Sequence, residues 1–377
     1  MPNNSENSEY QVFYSRGTES LLESEIEYYD LRIKGKIPGG YSLSATAEEI
    51  LPFLTHTRFA TRIGKLLFFT KIRNPEDLYK KAFQFPWEKV FPTPFSFQID
   101  SRTRDVLNHS QYALYKLKDA IFDRARDRDL PIPVVSQYEP SFTLLLRAYE
   151  DNAFVLESLS TNSLTKRGYR FMPGAAPLRE NLAQTMLAIA DFQENDVVYD
   201  PFCGSGTIVL ESVVLIATKG EIHRTSLSNS KSFLREYPNF QFSALKSRPP
   251  SKHFFGSDLE PPTIEIAQKN ESASGFQGWV EWFVKDATSA TPPSEKPGHI
   301  ITNPPFGERL GNKEELRAMM ERFGKQLKNH FSGWDLTIVT GDSSLLGPLD
   351  LKTELSHPVK IGDFSGKINH YKIKQWN

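Results

Sequence analysis

The chain has one cysteine in 377 residues. Cys203 alone has no partner for an internal disulfide, which favours a reducing compartment such as the cytoplasm. No run approaches the roughly 18 apolar residues of a membrane helix. The opening "MPNNSENSEY" lacks the basic-then-apolar pattern of a signal peptide and reads as a short disordered tail over residues 1–9. Neither sign of charge dominates, with 45 basic against 46 acidic side chains. A global field for polyanions is therefore excluded, and any nucleic acid must be met by local positive charge. There is no internal repeat and no His or Cys constellation of the metal-binding or nucleophilic kind. What is present is 39% hydrophobic and 24% charged residues, enough for two or three domains with proper cores.

The first half mixes strands and helices without strict alternation. "YQVFYS" reads as a strand, and "TESLLESEIEYY" as a helix with Thr18 as a plausible cap. "LLFFTKI" is rich in β-formers, and "PEDLYKKAFQF" reads as a helix opened by Pro75 at its first turn. "PFSFQIDSRTRD" alternates Phe95, Phe97 and Ile99 with polar residues, as a half-buried strand does. Leu114, Leu117, Ala120 and Ile121 then form an apolar stripe on a helix, and two strands flank the turn at Glu150–Asn152. This arrangement implies an α+β module.

From about Asn195 the pattern changes. "DVVYD", "KHFFGSD", "VEWFVKD", "GHIITNPP" and "WDLTIVTGD" are strand-like runs, most of them separated by helical stretches. That is the pattern of a doubly wound, mainly parallel sheet in an α/β domain. "KIGDFSGKINHYKIKQW" reads as a terminal hairpin. The long stretch from Thr218 to Lys252 reads as an insertion with a short helix and a Pro-rich exit.

Polar residues at the carboxyl ends of parallel strands point into the ligand crevice. Asp200 ends the first strand, and Gly204 and Gly206 then permit a sharp turn into a helix near Thr207. The spacing fits neither the G-x-G-x-x-G nor the P-loop pattern, and a tight turn without ligand is the plain alternative. Asp258 could accept from ribose hydroxyls or simply cap the next helix. Asp286 could accept from an adenine amino group or be a solvated strand-end acid. In "ITNPPFGERLG" two prolines fix the backbone and remove two N–H donors. The Asn303 side-chain amide and the Pro304 carbonyl are left as fixed acceptors for an amino group, and Phe306 offers a flat face for a base.

"DPFCGSGT" followed by "NPPFGERLG" resembles the class I S-adenosylmethionine-dependent methyltransferases that modify exocyclic amino groups. More narrowly it is similar to the THUMP-containing guanine-N2 RNA methyltransferases of the RlmL type. "SLTKRGYRFMPGAAPLRENLAQTML", "LNHSQYALYKLKDAIFDR" and "VFYSRGTESLLESEIE" resemble the family's junction, THUMP helix and opening segment, so the likeness covers nearly the whole chain. The chain departs from the family in "LSTNSLTKRGYR", where a Ser-Gly pair is common, and it carries one methyltransferase domain where fused bacterial versions carry two. The resemblance implies an α+β ferredoxin-like part at 10–60, a THUMP domain at 61–163, a junction at 164–180 and a Rossmann-like methyltransferase domain at 181–377, with a seven-stranded sheet ending in an antiparallel hairpin. It implies S-adenosylmethionine as cofactor, held by Asp200, Pro201, Phe202, Gly204, Gly206, Thr207, Asp258, Leu259, Asp286, Ala287 and Asn303. Transfer would rest on Asn303, Pro304, Pro305 and Phe306. The expected partner is RNA, ribosomal before transfer RNA, gripped by the THUMP region and by Lys166, Arg167, Arg170 and Arg179. No membrane and no metal is expected, and the chain is expected to be a monomer or weak dimer. Other readings of the same residues are a tRNA guanine-N2 methyltransferase, an N6-adenine methyltransferase and a non-catalytic RNA-binding assembly factor.

Overall fold

In the computed structural model, residues 6–107, 110–170, 178–218, 225–242, 253–305, 313–362 and 364–374 are described. The first half runs β1 (Ser8–Tyr14), α1 (Glu19–Tyr28), β2 (Arg32–Ile37), β3 (Gly40–Ala45), α2 (Ala47–His56), β4 (Ala60–Lys71), α3 (Pro75–Gln84), α4 (Trp87–Val90), β5 (Ser96–Thr103), α5 (Ser110–Asp127), β6 (Val134–Val135), β7 (Phe142–Tyr149) and β8 (Asn152–Ser158). These strands form one sheet in the order β2-β3-β1-β4-β8-β7-β5-β6. β4 lies at its centre, so hydrogen bonding runs unbroken across residue 60.

Local sequence explains much of this. Asn74 accepts from the Glu76 and Asp77 amides and starts α3, with Pro75 at its first position. Thr46 and Glu49 form a reciprocal capping box on α2. Thr18 does precede α1 but does not cap it: its hydroxyl donates to the Ser15 carbonyl, and Glu19 instead accepts from the Gly17 amide. α5 buries Ala113, Leu117, Ala120 and Ile121 against the sheet.

The second half runs α6 (Glu180–Ile189), β9 (Val198–Asp200), α7 (Thr207–Ala217), α8 (Thr225–Ser228), α9 (Lys231–Glu236), β10 (Phe254–Asp258), α10 (Pro261–Ser274), β11 (Val280–Val284), β12 (His299–Thr302), α11 (Lys313–His330), β13 (Asp335–Thr340), β14 (Thr353–Ile361) and β15 (Phe364–Lys372). The sheet order is β11-β10-β9-β12-β13-β15-β14, parallel up to β13 and antiparallel beyond. This is the seven-stranded sheet with a terminal antiparallel hairpin that the sequence resemblance implies. All five strand-like runs after Asn195 are strands. The hairpin opens earlier than the sequence pattern shows, because β14 begins at Thr353 among exposed residues with little apolar alternation.

The described part of the insertion, residues 225–242, packs on the other sheet's core. Leu227 of α8, with Phe233 and Tyr237 from α9 and its end, is buried in the core of the first half beside Tyr10, Ile50 and Phe53. The Arg235 guanidinium donates to both carboxylate oxygens of buried Glu157 at 2.6 Å and to the Val90 carbonyl. It also lies over the rings of Phe91 and Phe142. Lys65 pairs with Glu236, and the Tyr237 hydroxyl donates to the Ala47 carbonyl. The sequence shows two short helices here only faintly, and the Pro-rich exit lies outside the described residues.

Candidate active site

Four strand ends bring the sequence-predicted acids and Asn303 to one edge of the second sheet. β10, β9 and β12 are neighbours, and the chain order reverses between β9 and β12. A reversal of this kind opens a crevice beyond the carboxyl ends of the strands.

Asp200 is buried at the end of β9. Its Oδ1 accepts from the Thr302 hydroxyl at 2.6 Å and from the Phe202 amide at 3.1 Å. Burial pushes its carboxyl up to about 7, against the opposing pull of those two donors. Thr302 directly precedes Asn303, so this bond ties the first strand end to the motif that would meet the substrate. Sequence reasoning did not single out Thr302, because a threonine inside an apolar strand carries no signal until the partner strand is known.

The loop after Asp200 is pinned from several sides. The Gly204 amide donates to Asp258 Oδ2 at 3.0 Å, the Cys203 amide to the Ser257 carbonyl, and the Asn270 side chain to the Ser205 carbonyl. Gly204 and Gly206 both have positive φ, +53° and +83°. They differ in what a side chain would meet. At Gly204 an added Cβ would face open space, so the backbone there is bare toward the crevice. At Gly206 it would come within 2.7 Å of the Trp282 ring, which the buried carboxylate of Glu271 holds by accepting from Trp282 Nε1. The first glycine therefore leaves room for a ligand, and the second makes room for the protein.

Asp258 is partly exposed, and its Oδ1 accepts from the Glu260 amide. It is not the cap of α10, whose N-cap is Glu260, so the helix-cap alternative fails. Asp286 is exposed and caps a single turn at Ala287–Ser289 through Oδ1, leaving Oδ2 open. Leu259 is 61% exposed beside the crevice, while Ala287 and Pro201 are buried. The Phe202 ring meets Phe323 edge-on, 5.2 Å between centroids. Thr207 opens α7.

Asn303 follows β12, and its Oδ1 is buried without a hydrogen-bond partner among the described residues. A buried acceptor left unmade costs on the order of 1–3 kcal/mol, which a donor on a ligand in the crevice would recover. Pro304 is buried and Pro305 half-buried. Phe306 lies outside the described residues. The open backbone at Gly204, the acid Asp258 and the orphaned Asn303 oxygen fit a nucleoside-bearing methyl donor with an amino acceptor beside it.

The four basic residues assigned to RNA do not act together, and two assignments are corrected. Arg167 is buried. Its guanidinium donates to the Leu164 and Arg58 carbonyls and faces Glu211 at 3.5 Å in a pair with no exposure. Glu211 also accepts from the Tyr169 hydroxyl and Gln184 Nε2. Arg170 donates to the Leu178 carbonyl and Thr207 Oγ1 and faces Glu180. Both arginines help seat the junction on α7, Arg167 fully within the fold and Arg170 through one end of its guanidinium. Lys166 and Arg179 are exposed.

A family profile described as the RMKL-like methyltransferase domain matches residues 167–369, and one for the THUMP domain matches 73–156. A Shewanella frigidimarina protein named Ribosomal RNA large subunit methyltransferase K/L is 33% identical over 370 residues, covering 95% of this chain and 52% of the relative. Its namesake from Psychromonas ingrahamii is 32% identical over 380 residues, covering 97% of this chain and 50% of the relative. The chain thus spans about half the length of these curated relatives. Two crystal structures share the fold over nearly the whole of both chains. SMU.472 complexed with SAH has a TM-score of 0.79 at 19% identity, covering 99% of this chain and 100% of that one. TrmN from Thermus thermophilus has a TM-score of 0.69 at 20% identity, covering 97% and 99%. The first profile spans more than half of the chain, which therefore belongs to the family of RMKL-like methyltransferase domains, here preceded by a THUMP domain.

Proposed function

We propose that the chain transfers a methyl group from S-adenosylmethionine to the exocyclic N2 amino group of a guanosine in RNA, large-subunit ribosomal RNA first. The observation that carries this is the orphaned, buried Asn303 Oδ1 at the crevice edge. The names of the K/L relatives support ribosomal RNA as the substrate.

The chemical difficulty is the nucleophile. The lone pair of a guanine amino group is delocalised into the ring. Two fixed acceptors, Asn303 Oδ1 and the Pro304 carbonyl, hold its hydrogens and turn the lone pair out of the ring plane. Positive charge grows on that nitrogen during transfer, and these dipoles meet it without reorganising. S-adenosylmethionine, when bound, supplies an electrophilic methyl on a sulfonium. Asp258 and the bare backbone at Gly204 are the groups that hold its nucleoside end, with Leu259 and Ala287 beside the base. Positioning can account for roughly 7–11 kcal/mol of a barrier, and Thr302 contributes by fixing the Asn303 backbone to Asp200. The product ammonium is acidic and loses its proton to water, so no strong base is needed. A duplex target must present its base flipped out or unpaired.

The test is nucleoside mass spectrometry after incubating unmodified ribosomal and transfer RNA with the protein and S-adenosylmethionine. N2-methylguanosine in ribosomal RNA is expected. N6-methyladenosine instead, or no thermal shift with the cofactor, would overturn the proposal.

A further inference from the structure

The eight-stranded sheet has one face under helices and the insertion. The other face carries Phe13 on β1, Arg62 on β4, Arg147 on β7 and Asp100 and Arg102 on β5. Strand register places these on one side: Phe13 pairs with Arg62, and Arg102 with Arg147. Neighbouring strands lie about 4.8 Å apart, so strands three places apart stand roughly 14 Å apart in a flat sheet. Yet the Arg147 guanidinium lies 5.0 Å from the Phe13 ring centre, and Arg62 reaches Asp100 at 3.5 Å. Each contact spans three strand intervals. Long side chains therefore lean inward across this face and together outline a trough. Gly64 marks the fold of the trough, since a Cβ there would come within 2.9 Å of Leu156 Cβ.

Charge in the trough does not balance. Asp100 is the one carboxylate that the three arginines share. Arg147 takes the better part of it, pairing with its Oδ1 at 3.1 Å while donating to the Asp100 and Leu146 carbonyls. Arg62 has only two contacts, to Asp100 and to the Ser160 carbonyl, both 3.5 Å long. Arg102 is exposed and makes no hydrogen bond or ion pair with a described residue. Burial lowers both Arg62 and Arg147 from their ordinary value, and Arg102 pushes both the same way. Three guanidinium groups thus stand against one carboxylate, and Arg62, largely out of water, meets it only at 3.5 Å. An anion beside Arg62 and Arg102 would offset that excess of positive charge. Planar guanidinium forks match phosphate oxygens.

We propose that Arg62 and Arg102 form a phosphate site at the trough mouth and that its occupant is a backbone phosphate of the RNA substrate. The identification of the occupant rests on the proposed function; the excess charge does not. The site adjoins the junction, because the Ser160 and Thr161 carbonyls take Arg62 and Gln98. It supplies the grip that buried Arg167 and engaged Arg170 do not.

The experiment is fluorescence anisotropy of a labelled ribosomal RNA fragment with the full chain across a salt series. Arg102→Glu, on an exposed side chain, should weaken binding about tenfold or more, and by the same factor for an unrelated sequence. It should also flatten the salt dependence by about 0.7–0.9 log units per log of salt, as for one lost phosphate contact. Arg62→Gln should act likewise, and cofactor thermal shift should not change in either. Inorganic phosphate, titrated against chloride at constant ionic strength, should compete with RNA on the wild type more than on Arg102→Glu. Unchanged affinity and salt slope in Arg102→Glu overturns the site. Phosphate binding that depends on Arg102 while RNA affinity does not would make it a free-anion site and overturn the RNA assignment. Tight, Arg102-dependent RNA binding without methyl transfer would sink the proposed function and leave this site standing.

Discussion

The two sheets keep their functional polar groups in different places. In the seven-stranded sheet, Asp200, Asp258 and Asn303 sit at the ends of adjacent parallel strands, and the strand interiors are apolar. In the eight-stranded sheet the charges sit on a face, in the middle of mostly antiparallel strands, and meet because their side chains reach across three strand intervals. Parallel strands all point one way, so their ends converge whatever the sequence between them. A charged face requires register, since a slip by one residue would turn Arg62 and Arg147 to the other side.

The sharpest break in this comparison would come at the buried pair that joins the two halves. Arg167→Met leaves Glu211 buried without its ion-pair partner. It should cost about 3–5 kcal/mol in urea unfolding, with no loss of exposed charge. Next in size, Asn303→Ala removes one acceptor from the strand-end site. Transfer should fall about 10²–10³-fold while cofactor affinity, read by calorimetry, stays nearly unchanged. Loss of both would move Asn303 from the transfer step to cofactor binding.

Asp200 sharpens the contrast through pH. Its folded carboxyl titrates at about 7 against an ordinary 3.8, so between those values the folded state binds the extra proton. Stability should therefore fall as pH rises from about 4 to about 7, with a slope approaching 1.4 kcal/mol per unit from this group. Asp200→Asn should remove that slope, seen as the difference between the two proteins across a pH series. The smallest effect is expected at Thr302. Thr302→Val should lower kcat about tenfold with little change in KM for the cofactor, and Thr302→Ser should restore it. Equal losses in Val and Ser variants would point to packing and not to the hydroxyl.

Much of the second sheet was legible in the sequence because strand-end acids, the glycine loop and the Pro-Pro corner are local signals. Thr302 was not, since its partner lies 102 residues earlier. The basic run at the junction misled for a physical reason. Sequence shows a charge but not whether it faces water, and Arg167 finds its carboxylate 44 positions away on α7. The hairpin of β2 and β3 hid in a segment whose alternation is broken by a register shift between Ile33 and Gly35. The trough was illegible altogether, because Arg62 and Asp100 come together only through three strand pairings, β4 with β8, β8 with β7 and β7 with β5.

The insertion leaves one sheet and lodges Phe233, Tyr237 and Arg235 in the other. On the proposed function, this plug would tie the sheet that holds the RNA to the domain that modifies it. Selection among targets would then become partly a matter of length: a base at the wrong distance along a folded nucleic acid would not reach the crevice however well its own edge fits. It also means that neither half could be exchanged for a foreign counterpart without baring the aromatic plug, so the two would be expected to change together.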